Sequence, residues 1–251
     1  MNNKKTLVVV LNHNFPEYTD RMYSYLKPYE RKDYDLVILD NGSKENGKSQ
    51  YTTVHLPENV FYGGGFRYSV NLALANEDKY DSLLFTVNTL TLFGYNWVKS
   101  MREVMTSKDK VGIVSPSIIA HGTDQNAWPQ MHNWGMKTPR KVRWVDFQSP
   151  LINIELLKII NPFPDFGIAY GYDVYAGIMA ERNNFSSYVL DYVYAVHQKK
   201  ETVKNNRTNF TLQEFSHKAL EDMYKSFNEL SLTKELNEMR AWGNKYTPIE
   251  L

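Results

Sequence analysis

The strongest constraint on the fold is the regular exchange of short β-rich runs for helical patterns through the first half of the chain. Thr6–Leu11, Tyr34–Leu39, Thr53–Leu56, Ser82–Val87 and Val111–Ser115 read as strands. Glu17–Leu26, Phe66–Ala75 and Asn96–Met105, lying between them, carry helical periodicity. Strands that alternate with helices imply right-handed crossovers and a largely parallel sheet. Ligands on such sheets gather at the carboxyl ends of the strands. Asp40-Asn41-Gly42-Ser43 stands at one such end, and Gly63-Gly64-Gly65 leads into the second helical run.

The second half is less regular. Ala120–Arg143 is long, rich in Trp, His, Asn and Gly, and basic at its end through Lys137, Arg140, Lys141 and Arg143. A stretch of that length without clear periodicity is usually functional. Val142–Phe147 and Ser187–Val196 read as strands, and Ile154–Ile160 and Tyr172–Glu181 as helices. Lys199–Arg207 is a second basic segment. Thr211 with Glu214 forms a capping box, flanked by Phe210 and Phe215 at staple positions. Leu212, Phe215, Ala219, Met223, Phe227 and Leu230 then make one apolar stripe. The expected division is residues 1–207 as an α/β domain and 208–251 as a helical extension packed on it.

Composition excludes several chemistries. The 251 residues include no cysteine, which removes disulfides, zinc–thiolate sites and thiol nucleophiles. Lys and Arg total 29 against 28 Asp and Glu, so any nucleic-acid contact must come from a local patch. No apolar run approaches the length of a membrane span. A cytoplasmic protein is expected. Gly63-Gly64-Gly65 lacks the G-x-G-x-x-G spacing of a dinucleotide fold, which argues against an oxidoreductase.

Taken in order, "VVVLNHNFPEYTDRMYSYL", "YDLVILDNGS", "LPENVFYGGGFRYSVNLALA", "DSLLFTVNTLTLFGYNWVKSM" and "VGIVSPSI" resemble the GT-A nucleotide-sugar-dependent glycosyltransferases. "VDFQSPLINIELL" and "FGIAYGYDVYAGIMAERNNFSSYVLDYVYAVH" extend the resemblance to residues 6–197. Among these enzymes the chain looks most like the inverting family-two members of the rhamnosyltransferase type. The fold implied is a Rossmann-like mixed α/β sheet flanked by helices. The function implied is transfer of a sugar from a UDP-sugar to an acceptor hydroxyl with inversion. A degenerate relative that binds a nucleotide-sugar or glycan without turnover is the alternative.

The resemblance also assigns roles. Leu11 and Asn12 would flank the base, and Asp40 would accept from uracil or ribose, with Asn41 beside it. Asp40 could instead only close an Asx turn. The glycine triplet would admit the donor, and Arg67 would reach phosphate. Asn88 and Thr89 occupy the donor side. Asp173 matches the family's catalytic base, although the acidic residue usual before it is Tyr172 here. The family binds Mn2+ or Mg2+ through an Asn/Asp-Asp-Asp run. The matching run here is Asn88-Thr89-Leu90-Thr91, a poor set for a hard cation. His197, the family's third ligand, is present; Asp146 or Asp191 could replace the missing acids. Failing a metal, cations such as Arg67, Lys199, Lys200, Lys204 and Arg207 could neutralise the diphosphate.

On the acceptor side, Trp128, Trp134, Arg140, Lys141, Arg143 and Gln148 are the candidates. Abundant Asn, Lys and Tyr with no Cys fit an AT-rich, viral gene. Phage glycosyltransferases that modify hydroxymethylated cytosine in DNA are of comparable size, so DNA and glycan acceptors both stand. Basic side chains would grip phosphates and Trp would stack a flipped base; a sugar face also stacks on Trp.

Overall fold

The computed structural model describes residues 4–30, 33–120, 128–197 and 211–248. Among these residues nine strands form one mixed sheet. β1 is Lys5–Asn12, β2 Tyr34–Asn41, β3 Val54–Leu56, β4 Tyr80–Val87 and β5 Leu90–Phe93. β6 is Val111–Ala120, β7 Arg140–Val142, β8 Leu151–Asn153 and β9 Ser186–His197. Their order is β3-β2-β1-β4-β8-β6-β9-β5, and β7 also pairs with β9. The first four are parallel, so Asn12, Asp40 and Val87 end side by side. β8 then runs antiparallel to both β4 and β6. The sheet is mixed because β8, β7 and β5 are short reversals that the alternation pattern did not reveal.

Among the described residues seven α-helices flank it: α1 Pro16–Leu26, α2 Phe61–Leu74, α3 Trp97–Ser107, α4 Ile154–Ile160, α5 Tyr172–Arg182, α6 Leu212–Glu229 and α7 Thr233–Asn244. β1 is buried from Thr6 onward, as a central strand covered on both faces must be. Phe66 lies at the centre of an aromatic cluster, with Phe85, Phe147, Phe163 and Tyr172 at 5.1–5.6 Å.

Two expected elements need correction. α2 starts five residues earlier than the pattern implied, so Gly63, Gly64 and Gly65 lie inside it. Glycine is a weak helix former, and tertiary contact overrides that preference here. A Cβ at Gly63 would stand 2.6 Å from the Tyr172 hydroxyl, and one at Gly65 would stand 2.7 Å from Leu11 Cδ1. The strand expected at Val142–Phe147 ends at Val142, because Trp144 and Val145 turn into the core. The Trp144 Nε1–H donates to the Met239 carbonyl of α7 at 3.0 Å.

Thr211 accepts from the Glu214 amide at 3.2 Å, completing the capping box. Ala219, Met223 and Phe227 are buried, whereas Leu230, at the end of the stripe, is exposed. Phe227 packs on Phe166 at 5.0 Å. Phe210 and Lys199–Arg207 lie outside the described residues.

Candidate functional site

The carboxyl ends of β1, β2 and β4 meet in one buried polar network. Asn12 Nδ2 donates to Asp40 Oδ1 at 2.7 Å and to the Gly47 carbonyl at 3.0 Å. Asn12 Oδ1 accepts from Thr19 at 2.8 Å and from Asn88 Nδ2 at 3.2 Å. Residues far apart in sequence thus become one constellation. Asn41 is bonded to Asn59 and to the Phe61 carbonyl, and takes the Val60 amide at 2.9 Å.

The same network turns Asp40 inward. Its Oδ2 accepts from the Ser43 amide at 3.0 Å and meets His55 Nδ1 at 2.7 Å. The Asp40 side chain is fully buried, while that of His55 is 41% exposed. A ligand at this edge therefore meets the imidazole and not the carboxylate. Leu11 is buried against Gly65, and Thr89 is buried as well.

The amides entering α2 are also engaged. Phe61 N–H donates to Asn59 Oδ1 at 2.8 Å, Gly63 N–H to the Ile168 carbonyl and Gly64 N–H to the Val60 carbonyl. Arg67 stands in the second turn, paired with Asp165 at 2.9 Å. The triplet provides close packing against Tyr172 in place of an open anion cradle.

Asp173 opens α5 behind Gly171, which caps the helix at φ +108°. Its Oδ1 accepts from the Val174 amide at 2.8 Å. Burial, followed by the negative charge of Asp146, raises its pKa to about 7; backbone amides and the Arg240 guanidinium act in the opposite direction. Burial also pushes the Tyr62 hydroxyl well above its usual range, with Asp173 and Asp146 adding to the effect. That hydroxyl donates to the Phe147 carbonyl. The site is therefore a carboxyl pair beside a tyrosine. Gln148 Nε2 donates to Asp146 Oδ2 at 2.7 Å, which makes Gln148 a partner of that carboxylate.

The basic acceptor residues do not converge on Asp173. Arg140 is buried and locked to Asp191 at 2.9 Å, with further bonds to the Gln130 and His132 carbonyls. Trp134 N–H and Met136 N–H complete the shell of Asp191. Neither Arg140 nor Asp191 is left for an acceptor or a metal. Arg143 pairs with Glu181 at 2.7 Å. Lys141 and Arg143 line a cleft of about 430 Å³ with Glu181 and Trp242. Glu181 is eight residues along α5 from Asp173, roughly 12 Å at the helical rise. Trp134 is 42% exposed, and Trp128 is half-buried edge-on to Trp144.

A divalent cation does not fit the residues at its expected position. Asn88 Nδ2 is committed to Asn12, Thr19 and the Phe15 carbonyl. Leu90 opens β5, where it pairs with His197 of β9. An amide, a hydroxyl, an alkyl chain and one imidazole lack the anionic oxygens that Mg2+ or Mn2+ require. Among the described residues no cluster of three His, Asp or Glu side chains could hold a metal.

Sequence reasoning missed His13, His55, Asn59, Tyr62 and Arg240 as site residues. His13 Nδ1 donates to the Asn41 carbonyl at 2.8 Å, leaving Nε2 to accept from Asn14 and Asn59. Asn59 and Tyr62 sit just ahead of the glycine triplet, a position that could have marked them. Nothing local marks Arg240.

No protein-family model matches the chain, and no curated protein matches it by sequence. Solved structures do match. GalNAc-T7 with UDP, GalNAc and Mn2+ superposes with a TM-score of 0.59 at 14% identity, over 96% of this chain and 56% of that one. The chain thus spans little more than half of that protein's length. The mannosyltransferase PcManGT from Pyrobaculum calidifontis, with GDP-Man and Mn2+, gives 0.53 at 14% identity over 97% and 76%. Glucosyl-3-phosphoglycerate synthase from Mycobacterium tuberculosis, with Mn2+, UDP and glucosyl-3-phosphoglycerate, gives 0.56 at 14% over 91% and 81%. Likeness at this identity establishes a common fold.

Proposed function

Starting from the GT-A glycosyltransferase fold that the chain shares with these proteins, we propose that it transfers a glycosyl group from a UDP-sugar to a sugar hydroxyl, with inversion. The observation that carries this reading is the Asp173 carboxyl, held near pKa 7 at the start of α5 beside Asp146 and Tyr62. A general base works best when its pKa lies near the operating pH. Asp173 takes the proton from the acceptor hydroxyl as that oxygen attacks the anomeric carbon. The bond from that carbon to the diphosphate breaks on the opposite face, its electron pair leaves with the phosphate oxygen, and UDP departs. The buried Asn12–Asp40–Asn88 network holds the strand ends in place, and His55 offers the exposed polar edge for the nucleoside. No step runs through a divalent cation, because the side chains at that position do not suit one.

Burial of Arg140 against Asp191 supports a glycan acceptor over DNA, since it removes one cation from the basic run, and Arg143 already has a carboxylate partner at the surface. The test is a panel of UDP-sugars scored by mass spectrometry, with Asp173→Asn as the control. Turnover should fall about 10²–10⁴-fold in that variant while UDP affinity persists. A variant keeping more than about a tenth of wild-type turnover would place the base elsewhere. The second reading, nucleotide-sugar binding without turnover, draws on the missing carboxylates at Asn88-Thr89-Leu90. UDP binding with no transfer or hydrolysis across the panel would decide for it.

A further inference from the structure

Arg240 lies on α7, in the extension whose apolar stripe marked it only as a docking element. Its guanidinium stands 5.1 Å from the centre of the Trp128 ring. Trp128 in turn packs edge-on to Trp144 at 5.0 Å, and Trp144 is tied to α7 through Met239. Arg240 and its aromatic platform are therefore fixed by the same joint. A guanidinium presents five N–H donors in a rigid fork that matches carboxylate and phosphate oxygens. Among the described residues Arg240 has no hydrogen-bond or ion-pair partner, whereas Arg140 and Arg143 are each closed by a carboxylate. Its charge nevertheless reaches the Asp173 carboxyl. An open fork on an aromatic floor, carried by the helix that joins α5 through the Arg182–Glu235 ion pair, offers an anion site on the side of α5 whose charge acts on Asp173.

We propose that Arg240 determines acceptor specificity by binding a carboxylate or phosphate carried by the acceptor sugar. The inference rests on the glycosyltransferase reading above. Asp146 and Asp173 would repel an acidic acceptor, and Arg240 offsets that repulsion while orienting the neighbouring hydroxyl toward Asp173. A neutral sugar would leave the fork unpaired and lose that orientation.

The test uses glucose 6-phosphate, glucuronate and neutral glucose as probes. Each is titrated by calorimetry into the free protein and into the UDP-loaded protein, and each is offered as acceptor to the UDP-sugar panel. One or both acidic sugars should bind or react about tenfold or more better than glucose, since a site built for a polar group rejects a ligand that lacks it. Arg240→Gln, which keeps much of the side-chain length, should abolish the preference. With the acidic acceptor it should raise KM about tenfold and lower kcat as well, since both binding and orientation of the hydroxyl are lost. Arg240→Lys should retain part of the preference, since it keeps the charge without the fork. Equal affinity for glucose and both acidic sugars, or a preference that survives in Arg240→Gln, overturns the proposal. Binding of hydroxymethylcytosine DNA in place of the sugars overturns it too. Failure of UDP to bind would count against the glycosyltransferase reading instead, and the titrations of free protein would still decide the role of Arg240.

Discussion

Asp173 and Asp191 are both acidic residues with buried surroundings, yet their neighbours give them different roles. Asp191 faces Arg140 and two backbone amides, so its charge is fully matched inside the fold. Asp173 faces another carboxylate, and its pKa rises to about 7. With Asp173 as the proposed base, the rate should climb with pH through about 7 as that carboxyl ionises. Asp146→Asn removes the opposing charge and should move that midpoint to lower pH; a pH–rate profile that does not move would separate the two carboxyls. Stability should run the other way. An aspartate whose pKa is higher folded than unfolded holds more protons in the native state between about pH 4 and 7, so stability falls as pH rises through that window. Asp173→Asn, neutral throughout, should then be more stable than the parent at pH 8 by about 1–3 kcal/mol in urea unfolding. A loss of stability at that pH would mean that the ionised carboxylate is well solvated.

At the scale of elements, α2 shows packing prevailing over propensity. Three successive glycines weaken a helix by up to about 1 kcal/mol each relative to alanine. At Gly63 and Gly65 the close approach of α2 to Tyr172 and Gly167 on one side and to Leu11 on the other leaves no room for a Cβ. Gly63→Ala isolates the balance. Its added methyl gains helix propensity but stands 2.6 Å from the Tyr172 hydroxyl and 2.7 Å from the Gly167 carbonyl. Overpacking of this kind costs about 1–3 kcal/mol, and the cost should win. The urea midpoint should drop, and turnover with it, because Tyr172 is the residue next to Asp173. A variant stabilised by about 1 kcal/mol would show that Tyr172 can retreat and that propensity governs the site.

Across the whole molecule, the sheet pairs β5 with β9 and sets Leu90 opposite His197, and the run from Asn88 to Thr91 offers no carboxylate to a divalent cation. Activity should therefore survive EDTA within about a factor of three, a change of under roughly 1 kcal/mol in barrier. Complete loss, restored by Mn2+, would require a replacement ligand. Asp146 would be the first residue to mutate, since Asp191 is already closed by Arg140. No helix among the described residues is long and apolar enough to cross a membrane.

Local pattern was sufficient for the parallel half of the sheet, because buried strands and amphipathic helices carry their periodicity in adjacent residues. It placed β1, β2 and β4, the turn at Asp40-Asn41-Gly42-Ser43, the capping box at Thr211 and the helix bearing Asp173. Short strands such as β5, β7 and β8 carry too few residues for a period, so pairing with β9, β6 and β4 alone defines them. Which charges remain open was equally invisible in the chain. Arg140 and Arg143 look like the cations of a binding loop until the fold brings Asp191 and Glu181, 51 and 38 residues away, against them. Arg240 looks like one residue of a surface helix until α7 packs on Trp144. A charge is active or silent according to its partners, and partners this distant in sequence are decided only by tertiary structure.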